Sequence, residues 1–125
     1  MSGGHMKRIS MVLASVALSA ASLAALAGDK VAGEAVYKRI NCASCHGADA
    51  KTGVDPSYPK LAGQHEDYLA HALRAYQRGQ AGASPTANIR KNPIMGAFAV
   101  QLSAKDVEDV AAYLHSLPGD LKVRQ

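Results

Sequence analysis

The chain has 125 residues and only two cysteines, and both fall in one short stretch, RINCASCHGADA, running from Arg39 to Ala50. Cys42, Cys45 and His46 stand at offsets of zero, three and four, so on a helical turn their side chains share one face. Four chemistries compete for such a cluster. A structural zinc site takes four protein ligands; no second cysteine pair completes one, and His65, His71 and His115 follow no common zinc spacing. A thioredoxin-like dithiol belongs in a βαβ context, and nothing in this sequence reads as a strand of useful length. A disulfide across two intervening residues constrains the unfolded chain little and leaves His46 without a role. Covalent attachment of one haem c uses all three residues. The two thiols add to the haem vinyl groups as thioethers, and the adjacent imidazole reaches the iron from the same side.

If His46 is one axial ligand, the group on the other side of the iron decides the chemistry. A methionine there raises the reduction potential and closes the metal to small ligands, whereas a vacant position permits gas binding or peroxide chemistry. Of the four methionines, Met1, Met6 and Met11 lie in the N-terminal segment, leaving Met95 in NPIMGAF. A lone methionine is ordinarily a gap-filling core residue. Met95, however, sits between Pro93 and Gly96 in a long Gly/Pro-rich connection, where a loop could lie flat against the haem and present the thioether. His71 and His115 fall on polar helix sides and read as solvated, and His65 is the reserve candidate.

Three segments must position these residues. A first helix is predicted from Lys30 to about Asn41, with Ala32, Val36, Tyr37 and Ile40 at helical spacing, leading directly into the cysteines. A second is predicted from Glu66 to Arg78, with Tyr68, Leu69, Ala72, Leu73 and Tyr76 as one apolar face and Gly79 as its stop. The third is the clearest. Ser103 and Asp106 form a capping-box pattern, Val107, Val110, Ala111, Leu114 and Leu117 form a stripe, and Pro118-Gly119 ends it. Asp106, Glu108 and Asp109 fall in its first turns, where negative charge is favourable. The connections from Gly47 to Gln64 and from Gly79 to about Leu102 are long enough to imply that they wrap a site. With one Phe and no Trp, the chain has little with which to build a core of its own. A small domain in that position recruits a disulfide, a metal or a bound group.

Residues 1–27 read as a cloning linker, MSGGHM, followed by a cleaved signal peptide. Met6, Lys7 and Arg8 start it, an Ala/Ser-rich apolar run follows, and Ala25 and Ala27 form the small-residue cleavage pattern. A transmembrane anchor is the alternative for a run of this length, but its many Ala and Ser residues make it weakly hydrophobic. Removal of the leader leaves residues 28–125 as a single domain exported to the periplasm, with no stable membrane insertion. Lys7 and Arg8 leave with it, so the formal net charge of +4 falls to +2. No basic cluster points to a nucleic-acid partner. No paired carboxylates, nucleophile with a base, or phosphate loop points to an enzyme.

On CASCH, YPKLAGQHEDYL, NPIMGAFAVQLS and DVAAYLHSL, spread over residues 30 to 118, the sequence resembles the class I c-type cytochromes. It is most similar to the short bacterial single-haem branch and to one half of the two-haem carriers. The resemblance implies an all-α fold of three main helices and long loops around one covalent haem. It implies thioethers at Cys42 and Cys45, axial ligation by His46 and Met95, and a hydrogen bond from the other His46 nitrogen to the Pro59 carbonyl. It also implies that Gly33, Tyr37 and Tyr113 lie where the terminal helices cross. One departure is that Gln80 and Ala81 stand where relatives often carry a basic residue. The function expected is that of a periplasmic one-electron carrier exchanging electrons with a dehydrogenase, a cytochrome complex or a terminal oxidase. The alternatives are an electron-accepting subunit of a dehydrogenase complex, or a haem-based ligand sensor or weak peroxidase.

Overall fold

The computed structural model describes residues 28–121, so the leader lies outside the described residues. Within them run five helices and no strand: α1 (Lys30–Arg39), α2 (Ala43–His46), α3 (Glu66–Gln80), α4 (Pro93–Ala99) and α5 (Ala104–Ser116). No helix among the described residues is long and apolar enough to cross a membrane.

Helix α1 begins where the extended Asp29 accepts hydrogen bonds from the N–H groups of Val31 and Ala32, satisfying donors that a helix start leaves free. Those bonds hold the Asp29 carboxyl below its usual range. The helix stops as Asn41 turns to φ 60°, a left-handed conformation that asparagine tolerates better than most residues. Helix α5 carries the predicted capping box, with Ser103 and Asp106 bonded reciprocally. It ends at an extended Leu117, the conformation favoured before Pro118.

The terminal helices α1 and α5 cross face to face. Gly33 makes the crossing possible, because a Cβ there would overlap the Asp109 carbonyl and come within 2.7 Å of Tyr113 Cβ. Tyr37 and Tyr113 fill the angle with ring centroids 5.7 Å apart, and Val36, Tyr37, Val107, Val110, Ala111 and Leu114 bury the seam. Asp109, expected only as a negative charge in the first turns of α5, does more. It is 4% exposed, accepts the Asp29 N–H at 2.8 Å and pairs with Lys105, so it ties the start of α1 to α5. Arg39 and Asp106 add an ion pair of 2.6 Å at the other end of α1.

Two predicted boundaries move. Helix α3 does not stop at Gly79 but runs through it to Gln80. The glycine serves close approach instead: a Cβ there would overlap the Arg90 carbonyl, and the Arg90 N–H donates to the Ala75 carbonyl at 3.0 Å. The stretch around Met95, predicted as loop, is α4. Asn92 caps it by accepting from the N–H groups of Ile94 and Met95, and Pro93 occupies the first helical position, where its missing N–H costs nothing.

Candidate functional site

Helix α2 is a single turn, and it is fastened at both ends. The Cys42 N–H donates to the Tyr37 carbonyl at 3.0 Å, and the His46 N–H donates to the Cys42 carbonyl at 3.1 Å. Gly47 then leaves the turn at φ 83°, and the buried Tyr37 hydroxyl reaches from α1 to donate to the Gly47 carbonyl at 2.7 Å. Burial pushes the Tyr37 phenol well above its ordinary range, which keeps it a neutral donor.

His46 is 7% exposed, and its Nδ1 lies 3.0 Å from the Pro59 carbonyl oxygen. A carbonyl can only accept, so Nδ1 carries the hydrogen and Nε2 keeps a lone pair for an external acceptor such as a metal. The Tyr58 ring stands edge-on to the imidazole, with centroids 6.1 Å apart. The loop between α2 and α3 is shaped to bring Pro59 there. Asp49 accepts from the Thr52 hydroxyl and from the N–H groups of Lys51 and Thr52, with the Thr52 side chain foremost in pulling its carboxyl down to about 2. The fully buried Ala50, at φ 57°, offers its carbonyl to both Leu61 and Ala62 at 2.7 and 3.0 Å.

Both cysteines are partly buried and unbridged. Burial pushes the Cys42 thiol up to about 11, the reverse of the lowered pKa that a redox-active dithiol requires. No group of three or more His, Cys, Asp or Glu able to hold a metal occurs among the described residues. A metal at His46 would therefore need its other ligands from a prosthetic group and from a softer side chain.

Cys42, Cys45, His46 and Pro59 all line one cavity of about 450 Å³, and Met95 of α4 lines it too. That volume lies within the range of cofactor pockets. Its long wall is the apolar stripe of α3: Tyr68, Leu69, Ala72, Leu73 and Tyr76. The stripe that periodicity assigns to a core thus faces a cavity, while Ala70 and Ala75 of the same helix are buried. A smaller void of about 40 Å³ lies against it, bounded by Tyr37, Ile40, Phe98, Leu102 and Val110 and again by Cys42, His46 and Met95. Two thiols, an imidazole with one nitrogen free and a thioether converge on an apolar cavity of cofactor size, and these residues fit a covalently held haem. His65, His71 and His115 are exposed and do not line the cavity. His115 is not simply solvated, since its Nδ1–H donates to the Gln64 carbonyl at 2.8 Å.

Two residues escaped the sequence reading. Arg90 lines the cavity, donates to the Tyr68 hydroxyl at 3.0 Å, and lies over the rings of Tyr68 and Tyr76 at 5.4 and 5.6 Å. Lys60, which also lines the cavity, is paired with Asp120 at 2.7 Å. Arg90 has no carboxylate within ion-pair distance among the described residues. Arg90 thus brings a basic side chain to the cavity, while Gln80 and Ala81, where the resemblance expects one, do not line it. Gln77, on α3, donates both amide hydrogens, one to the carbonyl of Ala99, the last residue of α4, at 2.9 Å and one to that of Leu102, three residues beyond it, at 3.0 Å. Neither follows from local pattern, because each contact depends on the chain folding back over ten or more residues.

Known proteins agree with this geometry. A sequence model of the Cytochrome c family matches residues 31–118. The chain is 40% identical over 90 residues to cytochrome c-554(548) of Halomonas halodenitrificans, covering 72% of this chain and 98% of that one. It is 34% identical over 120 residues to the thiosulfate dehydrogenase electron acceptor of Stutzerimonas stutzeri, covering 90% of this chain and 50% of that one. Among solved structures, reduced recombinant cytochrome c4 from Pseudomonas stutzeri superposes with a TM-score of 0.65 at 40% identity, over 75% of this chain and 48% of that one. The chain spans about half the length of the curated cytochrome c4 relatives it matches. With an all-helical fold, a cavity of cofactor size and these relatives, the chain belongs to the cytochrome c family, class I in fold, and carries a covalently bound haem c.

Proposed function

We propose that the protein is a periplasmic one-electron carrier whose haem is held by thioethers at Cys42 and Cys45 and bound axially by His46 and Met95. When bound, the haem supplies an iron that exchanges one electron between its ferrous and ferric states. The chain's own residues do the rest. Cys42 and Cys45 fix the group to α2. The Pro59 carbonyl orients the His46 imidazole and raises its basicity through Nδ1, as outer-shell partners of metal-bound histidines do. Met95 takes the last position and closes the site to small ligands. The apolar face of α3 excludes water, and Arg90, which has no carboxylate partner among the described residues, is the cavity cation available to neutralise the haem propionates.

The observation that carries this reading is the convergence of Cys42, Cys45, His46 and Met95 on a single cavity. A ferric spectrum of the exported protein tests it. The long-wavelength sulfur-to-iron charge-transfer band is expected, and carbon monoxide should not bind the reduced protein without denaturation. Absence of the band together with ready binding would replace the carrier reading with that of a ligand sensor. The leader supports export, and analysis of the mature N-terminus tests it, with cleavage expected after Ala27.

A second reading has one observation in its favour, the similarity to a thiosulfate dehydrogenase electron acceptor. It makes this chain the haem subunit that takes electrons from a dehydrogenase. Stable co-purification with a catalytic subunit would favour it over a free carrier.

A further inference from the structure

We infer that Gln77 is a latch: through its two hydrogen bonds to the end of α4 it positions Met95, and so sets how readily that axial position opens to an outside ligand. This rests on Met95 being the axial ligand proposed above.

Helix α4 has only seven residues. Its main packing is on α3, and Ile94, next to Met95, is 58% exposed. At its start, the Asn92 cap bonds only within the local chain. At its end and just beyond, the carbonyls of Ala99 and Leu102 take both hydrogens of the Gln77 amide, which are all the donors a carboxamide has. Among the described residues these are the two side-chain hydrogen bonds that join α3 to residues 93–102. Ala99 follows Met95 by four residues, so the latch holds the backbone of α4 one turn beyond the thioether. Phe98 and Leu102 pack on the core and keep α4 near its place when the latch is removed. What the latch adds is a fixed register of α4 over the cavity.

Removal should therefore shift a local equilibrium rather than unfold the protein. Imidazole is a suitable probe, because it binds the ferric iron only in molecules whose Met95 has let go. Its apparent affinity rises in proportion to that open fraction. Two ordinary hydrogen bonds lost correspond to an affinity about tenfold higher.

The test is an imidazole titration of the haem-loaded ferric protein in wild type, Gln77→Ala, Gln77→Glu, Met95→Ala and Val107→Ala. Gln77→Glu keeps the shape of the side chain but, as a carboxylate at neutral pH, has no hydrogen to donate. Both Gln77 variants should bind imidazole about tenfold more tightly, while retaining the sulfur-to-iron band in its absence. Val107→Ala, a core truncation in α5 that leaves both Gln77 hydrogen bonds in place, should lower the melting temperature and leave imidazole affinity unchanged. Unchanged affinity in Gln77→Glu would overturn the latch. So would an equal tightening in Val107→Ala, which would mean general loosening. If the wild type lacks the band, or Met95→Ala retains it, the ligand assignment fails, and the latch fails with it for that separate and visible reason.

Discussion

The two ends of the site are built differently. On the His46 side the turn grows directly out of α1, is bolted to it by the Tyr37 hydroxyl at 2.7 Å, and has its imidazole held by Pro59 at 3.0 Å. Behind it stands the α1–α5 crossing, which supplies most of the buried core. On the Met95 side stands a short helix, capped by its own neighbour and joined to α3 by one glutamine. The first side is over-determined by short-range bonds and packing, while the second depends on a few long-range contacts. Local opening starts where few contacts hold, so the Met95 side is expected to open before the His46 side.

Each part of that contrast can be broken. The largest effect is expected from Cys42→Ala with Cys45→Ala. With the haem detached, the cavity between α2, α3 and α4 loses its filling, and a cooperative thermal transition followed by circular dichroism should disappear. Met95→Ala should do much less to the fold. The His46 side stays intact and the melt cooperative, while the sulfur-to-iron band is lost and carbon monoxide binds the reduced protein.

Gly33→Ala attacks the frame behind His46, since the new methyl meets the Asp109 carbonyl. Overpacking of this kind costs about 1–3 kcal/mol, to be read in denaturant unfolding with the spectrum of the folded protein unchanged. Tyr37→Phe removes one hydrogen bond from the same side and should cost about 1 kcal/mol. The smallest effect is acid sensitivity of the loop that carries Pro59. The Asp49 carboxyl is held down to about 2, chiefly by the Thr52 hydroxyl, against an ordinary value near 3.8. A carboxyl lowered in the folded state contributes stability above the unfolded value and loses it as pH falls toward the folded one. Thr52→Ala should therefore flatten the loss of stability between about pH 4 and pH 2, measured by acid titration of the folded fraction.

Much of this was legible before any coordinates. The capping box at Ser103, the α5 stripe and the CASCH turn are local patterns whose physics is complete within a few residues, and the structure has all three. The expected crossing of the terminal helices at Gly33, Tyr37 and Tyr113 is present as well. What the pattern could not show is where separate segments meet. The α3 stripe reads identically whether it faces side chains or a prosthetic group, so its role as a cavity wall needed the fold. Gly79 looked like a helix stop because glycine often is one, yet here it admits the Arg90 backbone. The short α4 was hidden because Pro93 and Gly96 read as loop residues, although proline at a first helical position favours a start. Asp109 read only as a favourable charge near a helix start, and its bond to the Asp29 N–H, 80 residues away in sequence, needed the fold. Arg90 and Gln77 act across gaps in sequence that no periodicity spans.

The contact between Gly79 and Arg90 brings the two ends of the intervening segment together at the surface. Residues 81–89 leave and rejoin the domain at one seam, mostly exposed, and closing such a loop grows costlier only slowly with its length. That makes the seam a splice point. Arg78 of α3 reaches into the segment only at its far side, donating to the Asn88 carbonyl at 2.8 Å, so residues can be added or removed between Ala83 and Ala87 while the seam at Gly79 and Arg90 stays closed.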